Sequence, residues 1–303
     1  MPNNITLAKG YTNVIDEVYK AASVTDVLTS DQGLARTGAN AKEIMIPKVT
    51  VDGLGDYSRS SGYTNGSVTL EWETKRFDYD RGTKILVDAM DVEETAGADA
   101  FVKACSELQR TQVAPEGDAY TFSQIASKDG ISKVAQGVTY DDGEEVLQAI
   151  SAAMTAMDEA EVPAESRYLF ITPTLKRMID SMGEYQATVS KEIMAAFAGV
   201  IEVPQTRFYT RIDLNPGTSE GGFGYKKGVA SGSGSTAVPA GKDINFLIVE
   251  KSAVIKFDKH VASRIFQPDE LENMDAYMQK YRKYGIVDVF DNKVAGIYLS
   301  HKA

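Results

Sequence analysis

Chemically specialised residues are scarce in this chain: one cysteine (Cys105), two histidines (His260 and His301) and one tryptophan (Trp72). A lone thiol excludes an intrachain disulfide and fits a reducing compartment. One cysteine and two histidines in unrelated contexts leave a structural zinc site unsupported. No apolar run reaches the roughly 18 residues that read as a membrane span. The N-terminal stretch MPNNITLAKGYTNV has no basic segment followed by an apolar one, so it does not read as a secretory signal. Without that context the glycosylation patterns at Asn4 and Asn65 read as chance. Basic residues are also in deficit: 32 Lys and Arg stand against 43 Asp and Glu, a net charge of −11. Such a chain has no global attraction for nucleic acid unless a local basic patch intervenes. The densest basic stretch, Lys280, Arg282 and Lys283 in QKYRKYG, reads as the solvated side of a strand.

Catalytic patterns are missing as well. FGYKKG lacks the spacing of a phosphate loop, and SGSGS is not a nucleophile elbow. Asp258, Lys259 and His260 are adjacent, but neighbours on a strand point to opposite faces, so they read as surface charge. Glu144–Glu145 and Asp269–Glu270 could pair as carboxylates, yet nothing sets a spacing between them. No cofactor motif is present.

The 303 residues suffice to bury roughly three quarters of the unfolded surface without disulfides. Tyr11, Val14, Ile15, Val18, Tyr19 and Ala22 recur at helical spacing, predicting a helix over about residues 8–22. From Glu43 to Asp88 the period becomes two. EIMIPKVTV reads as an edge strand because it holds Pro47. A Gly/Ser/Asp-rich turn follows, then Val68, Leu70 and Trp72 alternate with polar residues. The apolar parity flips at Phe77 and Tyr79, predicting a bulge near residues 74–76. The whole reads as a two-stranded ribbon, charged on both strands. A lone ribbon is marginal in water, so this one needs something to lie on.

Asp91 and Glu94 form a capping-box pattern before Phe101, Cys105 and Leu108, which share one helix face with Cys105 as a buried small residue. Pro115 predicts a kink or break. Residues 131–250 alternate α and β: a helix capped by Asp141 or Asp142, the strand RYLFITP, a helix opening at Thr172–Pro173, the helix KEIMAAFAG, short strands in GVIEV and TRFYT, and the strand DINFLIVE. The Gly-rich stretch 216–242 is too long for a plain connector. The last fifty residues read mostly as strands, and no repeat recurs at a fixed period.

Two stretches carry a resemblance. GDYSRSSGYTNGSVTLEWETKRFDYDRGTKILVDAMDVEET, residues 55–95, resembles the major capsid proteins of tailed bacteriophages through its D-Y-x-R-x-x-G-Y tip, V-x-L-x-W-E-T, F-x-Y-D-R-G and V-D-x-M-D-V-E-E-T. RIFQPDELENMDAYMQKYRKYGIVDVFDNKVAGIY, residues 264–298, resembles the C-terminal part of the same family. The resemblance implies an α+β chain of the Hong Kong 97-like phage capsid fold. It divides the chain into an N-terminal arm (1–44), an extended β-hairpin loop (45–88), a peripheral domain with a long spine helix and C-terminal strands (89–130 and 252–303), and an axial α/β domain (131–251). The implied function is a non-enzymatic coat subunit that assembles with itself as hexamers and pentamers into an icosahedral shell around double-stranded DNA, without sequence-specific binding. No cofactor, metal or membrane is implied. The implied setting is a virion assembled in the bacterial cytoplasm, with a portal, a decoration protein, and a scaffolding protein that is separate or not needed. Tyr57, Arg59, Tyr63, Val68, Leu70, Trp72, Lys75, Arg76 and Arg81 are the inter-subunit contact candidates. The four cations among them are expected to meet acidic groups of a neighbour. Trp72 either anchors that contact or packs at the base of its own loop. Lys75 and Asn292 match by residue type the Lys–Asn cross-link of some family members. An encapsulin-type compartment and an enzyme using paired carboxylates are the alternatives.

Overall fold

The computed structural model describes residues 22–30, 36–37, 43–60, 62–94, 98–134, 136–218, 222–233, 237–271 and 274–303. The helix expected over residues 8–22 lies outside the described residues, Ala22 apart. Along the chain come β1 (Arg36–Thr37), β2 (Glu43–Val51), β3 (Val68–Arg76), β4 (Tyr79–Asp88), α1 (Ala89–Glu94), α2 (Ala98–Leu108), a π turn (Gln109–Val113) and α3 (Ala114–Ser127). Then follow β5 (Ser132–Lys133), α4 (Gly143–Glu159), β6 (Arg167–Ile171), α5 (Pro173–Asp180), α6 (Glu184–Ala195), β7 (Gly199–Glu202), β8 (Ile212–Leu214), β9 (Tyr225–Lys227), β10 (Ile244–Glu250), β11 (Val254–Phe266), β12 (Ala276–Val289) and β13 (Ile297–His301).

A five-stranded sheet, ordered β5-β13-β10-β6-β7, holds the main core. β10 is central, antiparallel to both β13 and β6, and all seven of its residues are buried. The run INFLIVE is continuously apolar from Phe246 to Val249 because both faces of the sheet are covered. Phe246 and Ile248 face Val146, Ile150 and Ile179 of α4 and α5; Leu247 and Val249 face Phe122, Ile125 and Phe208 on the α3 side. α4 starts as its sequence predicts. Asp142 accepts from the Glu145 backbone N–H at 2.9 Å, and the Glu145 carboxylate accepts from the Asp141 N–H at 3.1 Å.

A three-stranded antiparallel sheet, ordered β11-β12-β4, carries the long C-terminal strands. β2 and β3 pair in a separate sheet, from Glu43↔Arg76 to Val51↔Val68 without a register shift. The bulge expected near residues 74–76 is therefore absent. The parity flips because the chain changes sheets: β3 ends at Arg76, and β4 pairs with β12 instead of continuing the ribbon. The two-stranded excursion, read from Glu43 to Asp88, accordingly pairs only between residues 43 and 76.

Pro115 does not break the helix. Residues 98–127 stay helical through a π turn, in which the Ala114 N–H reaches Gln109 O, and Pro115 follows as the second residue of α3. The wider turn leaves room for a ring that in a regular α-helix meets the carbonyl four residues back. Cys105 is fully buried against Ile85, Val87, Ile265 and Tyr277, as its spacing implied, and burial pushes its thiol up to about 12. The preceding helix opens at Ala89 instead of Asp91, with Asp88 accepting from the Met90 N–H at 2.9 Å. The helix read in KEIMAAFAG begins at Glu184. TRFYT is no strand: a 3-10 turn over Gln205–Arg207 plugs Phe208 into the core, and only Tyr209 makes a β-bridge, to Asp243. Lys283, expected in solvent, is buried and pairs with Asp258 at 3.1 Å.

Candidate functional site

The ribbon formed by β2 and β3 is amphipathic in an unusual sense. On one face, Ile44 and Ile46 are buried with Phe77 against Ile255, Phe257, Tyr284 and Ile286 of the three-stranded sheet. Farther out this face becomes polar, with Lys48 opposite Glu71. The other face pairs Pro47 with Trp72, Val49 with Leu70, and Val51 with Val68. Because side chains alternate across a strand, these six lie together and point away from the chain's own core. Their exposure is large for apolar residues: Val49 52%, Val51 63%, Val68 70%, Leu70 57% and Trp72 40%. A contiguous exposed apolar strip rimmed by charge is the surface signature of a contact with another molecule.

The base holds the ribbon at a set position. Lys75 pairs with Glu73 at 2.7 Å and with Asp288 of β12 at 2.8 Å. Burial disfavours its charge, but the hydrogen bonds to both carboxylates outweigh this and hold its pKa above the ordinary lysine value. Lys128, at the end of α3, joins Asp288 at 3.2 Å and Asp291 at 2.6 Å. Arg81 of β4 reaches Glu116 at 2.7 Å and donates to the carbonyls of Asn215 and Gly224. Lys75 and Arg81 thus find their acidic partners within their own chain, contrary to the expectation that both would seek them on a neighbour. Their charges are already matched by carboxylates the fold brings alongside. Arg59 and Arg76 are exposed on the ribbon.

The tip is organised by short-range bonds. Asp52 accepts from the backbone N–H and hydroxyl of Ser67 at 2.8 and 2.6 Å, closing the loop at its neck. These bonds hold the Asp52 carboxyl below its usual range. Ser58 and Gly62 exchange backbone bonds across a tight turn, and Gly62 takes the positive φ of 79° that favours glycine. Tyr57 and Tyr63 meet edge to face at 4.9 Å. Both tyrosines and Leu54 are exposed.

A buried polar hub escaped the sequence reading. Asp118 of α3, fully buried, accepts from the Ser23 and Thr25 hydroxyls (both 2.7 Å), from the Val24 and Thr25 N–H groups, and from Arg207 at 3.1 Å. Lys256 of β11 donates to the Thr25 carbonyl and hydroxyl at 2.7 and 2.9 Å. Burial, reinforced by the nearby Lys283, lowers its pKa to about 8. The hub fastens residues 22–25 to α3, to β11 and to the turn before Phe208. In the sequence, Lys256 lies between Ile255 and Phe257, and alternation alone assigns it to the solvent side; at Val254–Phe257 both faces of the strand are covered. The arrangement ties three elements of the fold together. Among the described residues no group of three His, Cys, Asp or Glu side chains could hold a metal ion, and no helix is long and apolar enough to cross a membrane.

No protein-family profile and no curated protein matches the sequence. Solved structures match its fold over nearly the whole length. The virus-like particle from Pyrococcus furiosus is 12% identical, with a TM-score of 0.57 and coverage of 97% of this chain and 99% of that one. The mature capsid of bacteriophage PhiM1 is 12% identical, with a TM-score of 0.60 over 93% and 87% of the two chains. The head of Helicobacter pylori bacteriophage KHP40 is 11% identical, with a TM-score of 0.57 over 92% and 91%. The chain therefore has the Hong Kong 97-like fold of phage capsids, as the resemblance implied.

Proposed function

We propose that this chain is the major capsid protein of a tailed bacteriophage or prophage, a structural subunit that assembles with itself as hexamers and pentamers into an icosahedral shell enclosing double-stranded DNA. The observation that carries this reading is the ribbon, whose apolar face points away from its own core. Covering Val49, Val51, Val68, Leu70 and Trp72, already part-covered in their own chain, on a neighbouring copy supplies at most roughly 1.5–3 kcal/mol for each side chain, before the cost of association. The capsid fold supports the same reading. In this reading residues 1–44 are the arm, the ribbon is the extended loop, α2 to α3 form the spine helix of a peripheral domain with the strands of 252–303, and 131–251 form the axial domain. Tyr57, Arg59, Tyr63 and Arg76 complete the docking surface. A portal, a decoration protein and a scaffolding protein that is separate or unnecessary are the expected partners, in a virion assembled in the host cytoplasm.

Negative-stain microscopy of purified protein tests the assembly directly, with closed shells or ring-shaped capsomers expected. Trp72→Ala, or deletion of residues 56–66, should leave a folded subunit that assembles poorly, and Trp72 fluorescence should shift on assembly. A subunit that sediments as a monomer at every salt and protein concentration overturns the reading, as does a normal yield of shells from the deletion variant.

The two-way coverage with the Pyrococcus furiosus particle favours a second reading, an encapsulin-type compartment around a protein cargo. The contents of purified shells separate the two: nuclease-protected duplex DNA for the capsid, a co-purifying enzyme for the compartment.

A further inference from the structure

The π turn, the Phe208 turn and β9 together border a cleft of about 540 Å³. Its lining includes Arg110, Arg207, Lys226 and Lys227 with the rings of Tyr209 and Tyr225, and no carboxylate. Three of the four cations have an acidic partner outside the lining. Arg110 pairs with Glu107, Arg207 with the buried Asp118, and Lys227 with Asp243, which Lys302 also approaches at 3.6 Å. Lys226 is exposed and makes no ion pair among the described residues. Lys227 stands over the Tyr209 ring at 5.5 Å. The cations come from three separate stretches of the chain, so no linear basic run betrays them. With partners counted, the five cations Arg110, Arg207, Lys226, Lys227 and Lys302 stand against the three carboxylates of Glu107, Asp118 and Asp243, a local excess of positive charge in a chain of net charge −11.

We infer that this cleft is a contact point for the phosphodiester backbone of nucleic acid. Guanidinium and ammonium groups offer donors to phosphate oxygens, and the tyrosine faces tolerate any base. The choice of nucleic acid over another polyanion rests on the shell reading above; the cleft and its charge do not. With at most four phosphates engaged, binding is weak, independent of sequence and lost at physiological salt. The neutralised phosphates give a salt slope of about −0.9 for each cation engaged.

The test is a salt titration of a short mixed-sequence DNA duplex against the full chain, read by fluorescence anisotropy. The double variant Arg110→Ala with Lys226→Ala alters two exposed side chains and should leave the fold intact. The expected result is an affinity at least ~10-fold lower at low salt and a slope reduced by about 2. Lys84→Ala with Lys191→Ala, the same charge loss outside the cleft, should leave both quantities unchanged. Equal binding by the cleft variant and wild type overturns the inference. So does a cleft variant that keeps its DNA affinity but no longer forms shells, which would assign the cleft to an acidic surface of a second copy. Particle formation is scored by microscopy on the same preparations. Wild-type protein that binds duplex but never forms shells removes the shell reading and leaves the cleft standing.

Discussion

The strand β10 and the ribbon strand β3 have similar length, seven and nine residues, and both carry large apolar side chains, yet these sit in opposite environments. Every residue of β10 is buried, while from Val68 to Trp72 every residue of β3 is exposed. The central strand has covered faces on both sides and paired edges on both sides. The ribbon has one covered face, at its base only. Apolar side chains in β10 are accounted for by the fold of one chain; those of β3 are not, which points to a partner outside it.

The comparison predicts where substitutions act. The largest effect belongs to the core around β10. Phe122 is fully buried, with its ring 5.2 Å from Phe170 and 4.8 Å from Phe208. Phe122→Ala should cost about 3–5 kcal/mol in denaturant unfolding of the subunit.

Next comes the buried hub, through pH. In the folded chain Lys256 titrates near 8, because burial and Lys283 disfavour its charge against the pull of Asp118, Asp258 and Asp26; its ordinary value is 10.5. Between those values the unfolded chain binds more protons, so stability rises with pH across that window, by at most ~3 kcal/mol. Cys105, pushed by burial up to about 12 from an ordinary value of 9.0, opposes the trend once the unfolded thiol ionises, and Tyr120 and Tyr225, also pushed up to about 12, do so at higher pH. Unfolding curves at successive pH values should show the stability of the wild type rising relative to that of Lys256→Met, which carries the same thiol and tyrosines.

Cys105→Ser should cost about 1–3 kcal/mol, the price of burying a poorly paired hydroxyl. A thiol at this position should also react slowly with reagent in the folded protein; fast labelling contradicts its burial.

The smallest effect on the subunit belongs to the ribbon. Leu70→Asp should change subunit stability by no more than about 0.5 kcal/mol, as for other exposed sites. Its effect on shell yield should be severe, since it places a charge in the centre of the apolar strip. A loss of subunit stability comparable to that of Phe122→Ala would mean that the strip is covered within its own chain, and the contrast between the two strands would fail.

Local features were legible in the sequence because their causes are local. The 3.6-residue spacing in 143–159 and the acidic pair at its start define α4 and its cap. Period-two alternation marks β2 and β3, and an apolar stripe assigns Cys105 to a core. The apolar side of the ribbon was legible too, in Val68, Leu70 and Trp72; that it points away from its own core was not. The proline signal at 115 predicts a kink or break because the residue alone does not reveal a π turn placed just before it.

By itself the amino-acid sequence determined the order and type of most elements, the absence of an intrachain disulfide, and an acidic chain whose ribbon has an apolar side. The tertiary structure alone decided which side chains meet across long separations. It took Tyr79 to Asp88 out of the ribbon by pairing them with β12, gave Lys75 and Arg81 partners inside their own chain, and buried Lys256 and Lys283 on strands that alternation assigns to solvent. It also gathered Arg110, Arg207, Lys226 and Lys227 around one cleft in an acidic protein. Periodicity records which way a side chain points relative to its neighbours in sequence. What waits on that side, water, a carboxylate or another sheet, is set by chain segments tens to hundreds of residues away.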